Sequence, residues 1–339
     1  MKLNKDKKIF IVWGREMQLS HNLGLALGAE VKQVYYKKAG AYKIPAIFSY
    51  IFQAIETLLI LFEARPAMVI VQNPPVFAPL TVMLYCKLSG AKLAIDSHTA
   101  AFLDDKWKTF YGLFKFVAKQ SVLNSCHNYK NLEILKSWDI KPSMVMQFYN
   151  PLYDLAELDQ PMQNKHIEEA VKSGKLPIMM VNRFANDDDW QTVIKTAELM
   201  PEADFFITGD PFKAGIKSDY LPANVFLTGY LEHKEFLKLM HRAKVILAFT
   251  MRPDTVLWSI REIMALNKPF VTTDSEVLKH YFGEVGLFVK PGEPEKLQRE
   301  ILAAADKEDE IKNRIKIFLE KDKIRWDSEI SEYKKYLNN

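Results

Sequence analysis

The sequence predicts an α/β protein built from two Rossmann-like domains that face a cleft. A length of 339 residues suits two domains better than one. In the first half, short apolar runs alternate with helical segments, which is typical of a mostly parallel sheet covered on both faces. The same alternation restarts after Asn150-Pro151. We therefore expect domains over 1–150 and 176–306, a linker over 151–175, and a helix over 307–339 that packs back on the first domain.

The hydrophobic pattern predicts the individual elements in order. The first half contains strands over 9–13, 31–36, 68–72 and 92–95, and helices over 20–27, 44–62 and 77–87. The second half contains strands over 178–182, 204–208, 225–228, 245–249, 270–273 and 286–289, helices over 190–200, 233–243 and 294–305, and a charged helical tail over 308–336.

Composition indicates an ordinary globular protein of the cytoplasm. Hydrophobic residues make up 48% and charged residues 26% of the chain. Cys86 and Cys126 lie too far apart for a metal knuckle, and two cysteines make a disulfide framework improbable. Residues 1–8 are charged and lack the apolar core of a signal peptide.

Charge is distributed unevenly, which points to an anionic partner for the first half. Residues 1–150 carry 19 Lys and Arg against 10 Asp and Glu, whereas the remainder carries 27 against 32. A membrane surface, a phosphorylated acceptor or a nucleic acid would each fit. No nucleic-acid motif accompanies the basic character, which disfavours the last of these.

Two segments could touch a membrane. The segment 44–62 is about long enough to span one, but Gln53 and Glu56 interrupt it, so a buried or interfacial helix is favoured. The segment 106–119 is basic and aromatic. Its rings suit either a bilayer interface or the protein core, and the sequence does not decide between them.

The segment 254–274 carries the most informative pattern of the chain. Asp254 is followed eight positions later by Glu262, in a short helix that also contains Ser259. A helix N-terminus with its free N–H groups suits a diphosphate. A loop Asp and a first-turn Glu are also common without any ligand.

Several segments together resemble glycosyltransferases of the glycosyltransferase B fold, which use nucleotide sugars. The acidic-x7-Glu pattern is similar to that of the large group named after it. The Pro-Pro turn and Asp-x-His sequence are similar to those of the chitobiosyldiphosphodolichol β-mannosyltransferases. The matching segments are 72–75, 90–98, 182–190, 227–231, 243–249 and 254–262.

The resemblance implies a donor site in the second domain. Glu262 would accept hydrogen bonds from ribose hydroxyls, and Asp254 would face the donor sugar. Arg183 would contact the leaving diphosphate, although an ion pair with the acids at 187–189 is the alternative. The remaining expected donor contacts are Gly209, Asp210 and Ser259.

Three positions depart from the family pattern. Asp254 stands where the retaining members usually have Glu, and Asp188 stands where a Lys commonly follows the Arg. Near the first strand there is a single glycine, Gly14, rather than a pair. The anomeric outcome of the transfer therefore stays open.

In the first domain, Asp96 and His98 follow a strand at the sheet edge where ligands bind. Either could act as the base if the enzyme inverts. If it retains, His98 and Asp254 would position the donor sugar. The alternative to a functional role is structural: Asp96 would cap the next turn, and His98 would make a structural hydrogen bond. The expected acceptor-side residues are Gly14, Glu16 and Asn73.

The expected function is hexosyl transfer to a lipid-linked or polysaccharide acceptor, at the inner face of the cell membrane. No cofactor is expected, and no metal, because Asp96 and His98 lack a third candidate ligand in the sequence. A sugar-nucleotide epimerase or a polymerase on the same fold, and a non-catalytic subunit, remain alternatives. The chain has no G-x-G-x-x-G, phosphate-loop or G-x-S-x-G motif, which disfavours dehydrogenases, nucleotide triphosphatases and serine hydrolases.

Overall fold

A computed structural model describes residues 2–14, 18–36, 46–216 and 221–338. The chain divides into two compact units. Unit 1 comprises Met1–Phe148 together with Ile324–Asn339, and unit 2 comprises Tyr149–Lys323. Each unit is built around one six-stranded sheet with helices on its faces.

The sheet of unit 1 is parallel throughout, with strand order β2-β1-β3-β4-β5-β6. Its strands are β1 (Asn4–Val12), β2 (Glu30–Gln33), β3 (Pro66–Asn73), β4 (Lys92–Ser97), β5 (Leu123–Cys126) and β6 (Ser143–Val145). Its helices are α1 (Gln18–Leu27), α2 (Ala46–Ala64), α3 (Phe77–Ser89), α4 (Ala100–Leu103), α5 (Asp105–Lys108), α6 (Tyr111–Ala118) and α7 (Tyr129–Ser137).

The two faces of this sheet bury separate clusters, because side chains alternate along each strand. Ile9 and Ile11 of β1 face the cluster that includes residues of α2, α3 and α6. Phe10 and Val12 face the opposite cluster, which includes residues of α1 and the C-terminal helix.

Unit 2 has a second parallel sheet, with order β12-β11-β10-β7-β8-β9. Its strands are β7 (Leu176–Val181), β8 (Ala203–Thr208), β9 (Val225–Gly229), β10 (Val245–Ala248), β11 (Phe270–Thr273) and β12 (Leu287–Val289). Its helices are α8 (Leu155–Leu158), α9 (Lys165–Val171), α10 (Trp190–Glu198), α11 (His233–Arg242), α12 (Trp258–Ala265), α13 (Glu276–Phe282) and α14 (Pro294–Asp306), with a 3₁₀ helix at Pro211–Ala214.

The C-terminal helix, α15 (Glu308–Asn338), is shared between the units. Its residues up to 323 belong to unit 2, and only those from 324 onward belong to unit 1. Ile330, Tyr333 and Leu337 are buried in the core of unit 1. The segment 151–175, expected as a linker, lies within unit 2 and contains α8 and α9.

One local expectation about unit 1 is wrong, and one alternative that the sequence left open is decided by the structure. Asp96 lies inside β4, which continues to Ser97, so only His98 follows the strand. The segment 106–119 is not one helix, because α5 ends at Lys108 and α6 begins at Tyr111. Trp107 and Phe114 of this segment are buried in the core, which decides their role in favour of packing.

Candidate active site

Unit 2 contains a pocket of about 350 Å³ where three neighbouring strands end. Because the strands are parallel, their carboxyl ends meet at one edge of the sheet, and ligands of such sheets bind there. The pocket collects three of the predicted donor residues, Arg183, Gly209 and Asp210. The other lining residues are Val181, Asn182, Thr208, Tyr230, Leu231, His233 and Phe236.

Gly209 allows two of the pocket loops to touch. Its φ of +98° is one that residues with a Cβ rarely adopt. A Cβ at this position would lie 2.6 Å from the backbone oxygen of Asn182 and 2.9 Å from the Cα of Arg183. The loop after β8 can therefore pack on the loop after β7 only with glycine here.

Asn182 is a buried polar side chain that lines the pocket. Neither Oδ1 nor Nδ2 has a hydrogen-bond partner among the described residues. A buried amide without partners is unfavourable by about 1–3 kcal/mol, and such groups call for an explanation. A bound ligand with polar groups would satisfy the amide.

Arg183 extends from the pocket wall into solvent, with 71% of its side chain exposed. Its Nη2 lies 3.7 Å from Asp187 Oδ2, so the ion pair foreseen as the alternative exists, although an exposed pair of this length is weak. Arg252 Nε approaches the same carboxylate oxygen at 3.1 Å. Two guanidinium groups thus flank one carboxylate beside the pocket.

Asp188, which stands where the family commonly has Lys, has a structural role. Its Oδ2 accepts hydrogen bonds from the backbone N–H groups of Arg183 and Ala185, at 2.9 and 3.0 Å. The carboxylate therefore holds the loop that presents Arg183. Arg252, which no sequence pattern indicated, is the second cation that the structure places near Arg183.

Glu262 lies on α12 and is connected to the pocket through His233. Its Oε1 is 2.9 Å from His233 Nε2 and accepts a hydrogen bond from the Tyr153 hydroxyl at 3.2 Å. Burial and the neighbouring carboxylate raise the pKa of Tyr153 well above its ordinary value. The phenol therefore stays protonated and donates to Glu262. No sequence signal had linked His233 or Tyr153 to this position.

The His233–Glu262 contact predicts a pH-dependent stability. The hydrogen bond to Glu262 raises the pKa of His233 above 6.5, although partial burial opposes this. The stabilisation of the folded protein by protonated His233 is therefore complete below pH 6.5 and is lost as the pH rises through the raised pKa of His233. We expect the melting temperature of the wild type, relative to that of His233→Gln, to be highest at acidic pH and to converge above neutrality. A difference that is constant with pH would contradict this role.

Glu262 and Ser259, the other two predicted donor residues, lie outside the pocket lining, and so does Asp254, the residue predicted to face the donor sugar. Asp254 is half-buried and has a φ of 49°, in the loop that precedes α12. Ser259 is half-buried in the first turn of α12. The structure therefore places the five predicted donor residues and Asp254 in two groups, at the pocket and around α12, with His233 between them.

In unit 1, Asp96 is the centre of a buried polar cluster and is only 1% exposed. Its Oδ1 accepts a hydrogen bond from Ser125 Oγ at 2.7 Å and lies 3.1 Å from His127 Nε2. Its Oδ2 lies 3.4 Å from His98 Nε2. Tyr333 of α15 is buried nearby, and burial together with the Asp96 charge raises the pKa of Tyr333.

Electrostatics keep the carboxyl group of Asp96 ionised. Burial alone would raise the pKa of Asp96, but the two histidines outweigh it, and the pKa lies far below its usual range. Burial lowers the pKa of His127, and Asp96 opposes this only in part. Because a carboxylate only accepts hydrogen bonds, His127 donates Nε2–H to Asp96.

This geometry separates the two candidate bases. Asp96 is only 1% exposed, and Ser125 and His127 engage its Oδ1, so the carboxylate is closed to a substrate hydroxyl. His98 is less buried, and its Nε2, 3.4 Å from Asp96 Oδ2, has no hydrogen-bond partner in the part of the chain that the structure describes. His98 can therefore act as a base, with Asp96 orienting the ring and stabilising the imidazolium.

The same cluster has the composition of a metal site. Ligand atoms of Asp96, His98 and His127 lie within 4.8 Å of one another. Two imidazoles and a carboxylate are a donor set that Zn²⁺ accepts. The third potential ligand, His127, follows β5, a strand that the sequence analysis did not identify. The short apolar run before it, about 30 residues after β4, was the available signal.

The predicted acceptor-side residues lie near this edge as far as the structure describes them. Asn73 ends β3, and its Nδ2 donates to Ser97 Oγ at 3.5 Å. The backbone oxygen of Asn73 accepts a hydrogen bond from His98 N–H at 2.8 Å. Gly14 follows β1 at the same edge. Glu16 lies outside the described residues.

Comparison with protein families gives one match, which lies in unit 2. Residues 162–321 match the model of the family described as glycosyl transferases group 1. This segment includes the whole pocket and Glu262. No curated protein is similar enough in sequence to count as a relative.

Solved structures match over nearly the full length of the chain. HepE from Anabaena, in complex with UDP, has a TM-score of 0.70 at 12% identity and covers 96% of this chain and 99% of its own. Sucrose-phosphate synthase from Thermosynechococcus elongatus has a TM-score of 0.69 at 12% identity, covering 92% and 95%. A glycosyltransferase from Rickettsia africae has a TM-score of 0.62 at 13% identity, covering 96% and 99%.

Likeness at such low identity establishes the fold, and the family match adds the chemistry expected of unit 2. The two parallel six-stranded sheets are those of the glycosyltransferase B fold. Together with the match of residues 162–321 to the glycosyl transferases group 1, they support a nucleotide-sugar glycosyltransferase of this fold.

Proposed function

We propose that this protein moves a hexosyl group from a nucleotide-diphosphate sugar to a lipid-linked or polysaccharide acceptor. The observation that supports donor binding most directly is the pocket of unit 2. It combines an exposed cation, a close backbone approach at Gly209, and the partnerless buried amide of Asn182. Polar and charged groups converging on a concave site are what a nucleotide diphosphate requires.

Arg183 and Arg252 would hold the diphosphate. Both guanidinium groups already approach one oxygen of Asp187, at 3.7 and 3.1 Å, so an anion can bind between or beside them. Guanidinium groups form charge-assisted hydrogen bonds to phosphate oxygens and stabilise the charge that develops as the glycosyl bond breaks. In this proposal Arg252 supplies the charge that the family's Lys supplies elsewhere, and no metal or cofactor is needed.

Glu262 would accept hydrogen bonds from the ribose hydroxyls. In the structure its Oε1 is engaged by His233 and Tyr153, two side chains that are themselves able to donate. Donor binding would therefore exchange or share these hydrogen bonds. Ser259 and Asp254, on the same segment, would complete the contacts to the diphosphate and the sugar.

Unit 1 would bind the acceptor and supply the base if the reaction inverts. We assign the base to His98 and the positioning role to Asp96, because Asp96 is enclosed by its partners. If the reaction retains configuration, His98 and Asp254 would position the donor sugar instead. Asn73, Gly14 and Glu16 would lie on the acceptor side.

A lipid-linked acceptor would bring the protein to the inner face of the cell membrane. The support for this part of the proposal is the basic character of residues 1–150 and an exposed apolar helix, α2, in unit 1. We therefore propose that residues 44–62 and 106–119 contact the membrane peripherally. We also propose a role in polysaccharide biosynthesis.

The test is a thermal-shift screen against UDP, GDP, CMP and dTDP sugars. UDP sugars come first, because the HepE structures hold UDP or UDP-glucose. We expect one nucleotide family to raise the melting temperature, by an amount that grows with ligand concentration. Arg183→Ala and Glu262→Gln should abolish the shift. Arg299→Ala and Glu295→Gln, on the surface of α14, are matched controls and should keep it.

Two results would redirect the assignment. If no nucleotide sugar shifts the melting temperature, the proposal of donor binding is wrong, and a non-catalytic subunit becomes the better description. If a donor binds and its sugar is epimerised without any acceptor, the chemistry is that of an epimerase on the same fold.

A further inference from the structure

Helix α2 carries large hydrophobic side chains on both its packed side and its exposed side. The packed side includes Leu61, which belongs to the core of unit 1, and Tyr50, Ala54 and Leu58, which are partly buried and pack against that core. The other side exposes seven large hydrophobic side chains, with 40–66% of each accessible to solvent. These are Ile47, Phe48, Ile51, Phe52, Ile55, Leu59 and Phe62. Soluble proteins rarely leave an apolar stripe of this length uncovered.

The exposed stripe continues onto the two neighbouring helices. Helix α3 packs beside α2, and α6 packs beside α3. Leu84 and Leu88 of α3 and Phe116 of α6 are exposed as well. Lys87 links the last two helices, because its Nζ lies 5.6 Å from the centroid of the Phe116 ring. We call the exposed side chains of α2, α3 and α6 the three-helix face.

Charge around the three-helix face is predominantly positive. Helices α3 and α6 contain no acidic residue. Lys87 lies within the face, and Arg65 and Lys119 directly follow α2 and α6. Glu56 and Glu63 are the acids of α2. An apolar surface bordered by cations is complementary to an anionic bilayer, because the apolar side chains contact the acyl chains and the cations contact the lipid phosphates. Binding of a protein partner through the apolar side chains alone would not account for the bordering cations.

The contacts of α2 favour an orientation in the plane of a membrane over one across it. The segment Ile47–Ala64 is long and apolar enough to span, by length and composition. However, Trp13 Nε1 donates to Thr57 Oγ1 at 2.8 Å, and Gln53 Nε2 donates to the backbone oxygen of Val34 at 2.9 Å. Crossing a bilayer would break these buried hydrogen bonds and the core packing of the same side.

We propose that the three-helix face is the surface by which unit 1 docks on a bilayer containing anionic lipid. In this arrangement α2 lies in the interface, with its exposed hydrophobic side chains among the acyl chains and Lys87, Arg65 and Lys119 at the headgroups. From the segment 106–119 only Phe116 and Lys119 take part. The inference rests on the proposed function for its biological use, but vesicle binding itself is independent of donor binding.

The experiment is co-sedimentation of the full chain with vesicles of phosphatidylcholine alone or mixed with phosphatidylglycerol. We expect binding to the mixed vesicles, with at least about tenfold weaker binding for Leu59→Glu and for Ile51→Glu. Lys87→Glu with Lys119→Glu should reduce binding to the mixed vesicles in a salt-sensitive manner. Leu25→Glu is the matched control, because Leu25 is as exposed as Leu59 but lies on α1, across the sheet.

The outcomes are separable from those of the proposed function. Unchanged vesicle binding in Leu59→Glu would overturn the inference. So would a wild type that ignores both kinds of vesicle, or a dimer that Leu59→Glu converts to a monomer, since a second copy would then cover the face. The donor-induced thermal shift, measured on the same variants, reports on unit 2 and should persist in all of them.

Discussion

We expect Asp96→Asn to reduce the rate of glycosyl transfer by about 10²–10⁴-fold while leaving donor binding unchanged. The substitution keeps the size of the side chain but removes its charge, which is the group that orients His98 and stabilises its protonated form. His98→Ala should cause a loss of similar size. The rate is measured with the donor that stabilises the protein, and donor binding by the same thermal shift.

Ser125→Ala is the matched control for this prediction. It removes one hydrogen bond to the Asp96 carboxylate, from Ser125 Oγ at 2.7 Å, but keeps the charge. We expect it to retain activity within about tenfold of the wild type.

Full activity in Asp96→Asn would show that the buried cluster is structural and would favour a retaining reaction that needs no base. A metal site is the alternative role for this cluster, and removing and restoring a metal distinguishes the two roles. If a chelator removes activity and zinc restores it, Asp96, His98 and His127 bind a metal, and the loss in Asp96→Asn reflects ligand loss.

The sequence was most informative where a residue's position follows from its own segment. Strand β11 was predicted with the observed bounds, because a short β-branched run lies between Pro269 and Asp274. Arg183 and Gly209 each follow a strand, and parallel strands bring their carboxyl ends together. The gathering of these residues in one pocket could therefore be anticipated from the strand pattern alone.

Contacts between distant segments could not be anticipated in this way. His127 lies 31 positions from Asp96, and His233 lies 29 positions from Glu262. The residues of each pair are in contact because of the strand order and the helix packing, and neither of these can be predicted from a local sequence pattern. The position of Asp96 inside β4, and therefore its burial, depended on whether the strand ended at residue 95 or 97, and apolar periodicity locates strand ends poorly.

The division of α15 between the units was hidden for a different reason. Its sequence is charged along its length, so helix formation was evident but the packing partner was not. Asp322 looks like any other acid of this tail, yet it is buried, and its Oδ2 accepts a hydrogen bond from Arg261 Nη1 at 2.7 Å. Arg261 is equally buried, with its guanidinium 5.1 Å from the centroid of the Phe282 ring.

We expect Asp322→Asn to lower the free energy of unfolding of unit 2 by about 3–5 kcal/mol, because it removes the charge of the carboxylate that accepts a hydrogen bond from the buried Arg261 guanidinium. The melting temperature should fall by about 10 °C. Asp327→Asn, at an exposed position on the same helix, is the control and should change stability by less than about 0.5 kcal/mol.

A double variant separates the net contribution of the ion pair from the effect of breaking it. Replacing both partners, with Arg261→Met and Asp322→Leu, should recover most of the lost stability, because hydrophobic residues of similar volume can substitute for a buried pair. Arg261 and Glu262 are adjacent on α12, and they contact α15 and His233 respectively. Asp322→Asn should therefore weaken donor binding as well, whereas the double variant should restore it. Stability within about 1 kcal/mol of the wild type in Asp322→Asn would show that this pair does not hold α12 in place.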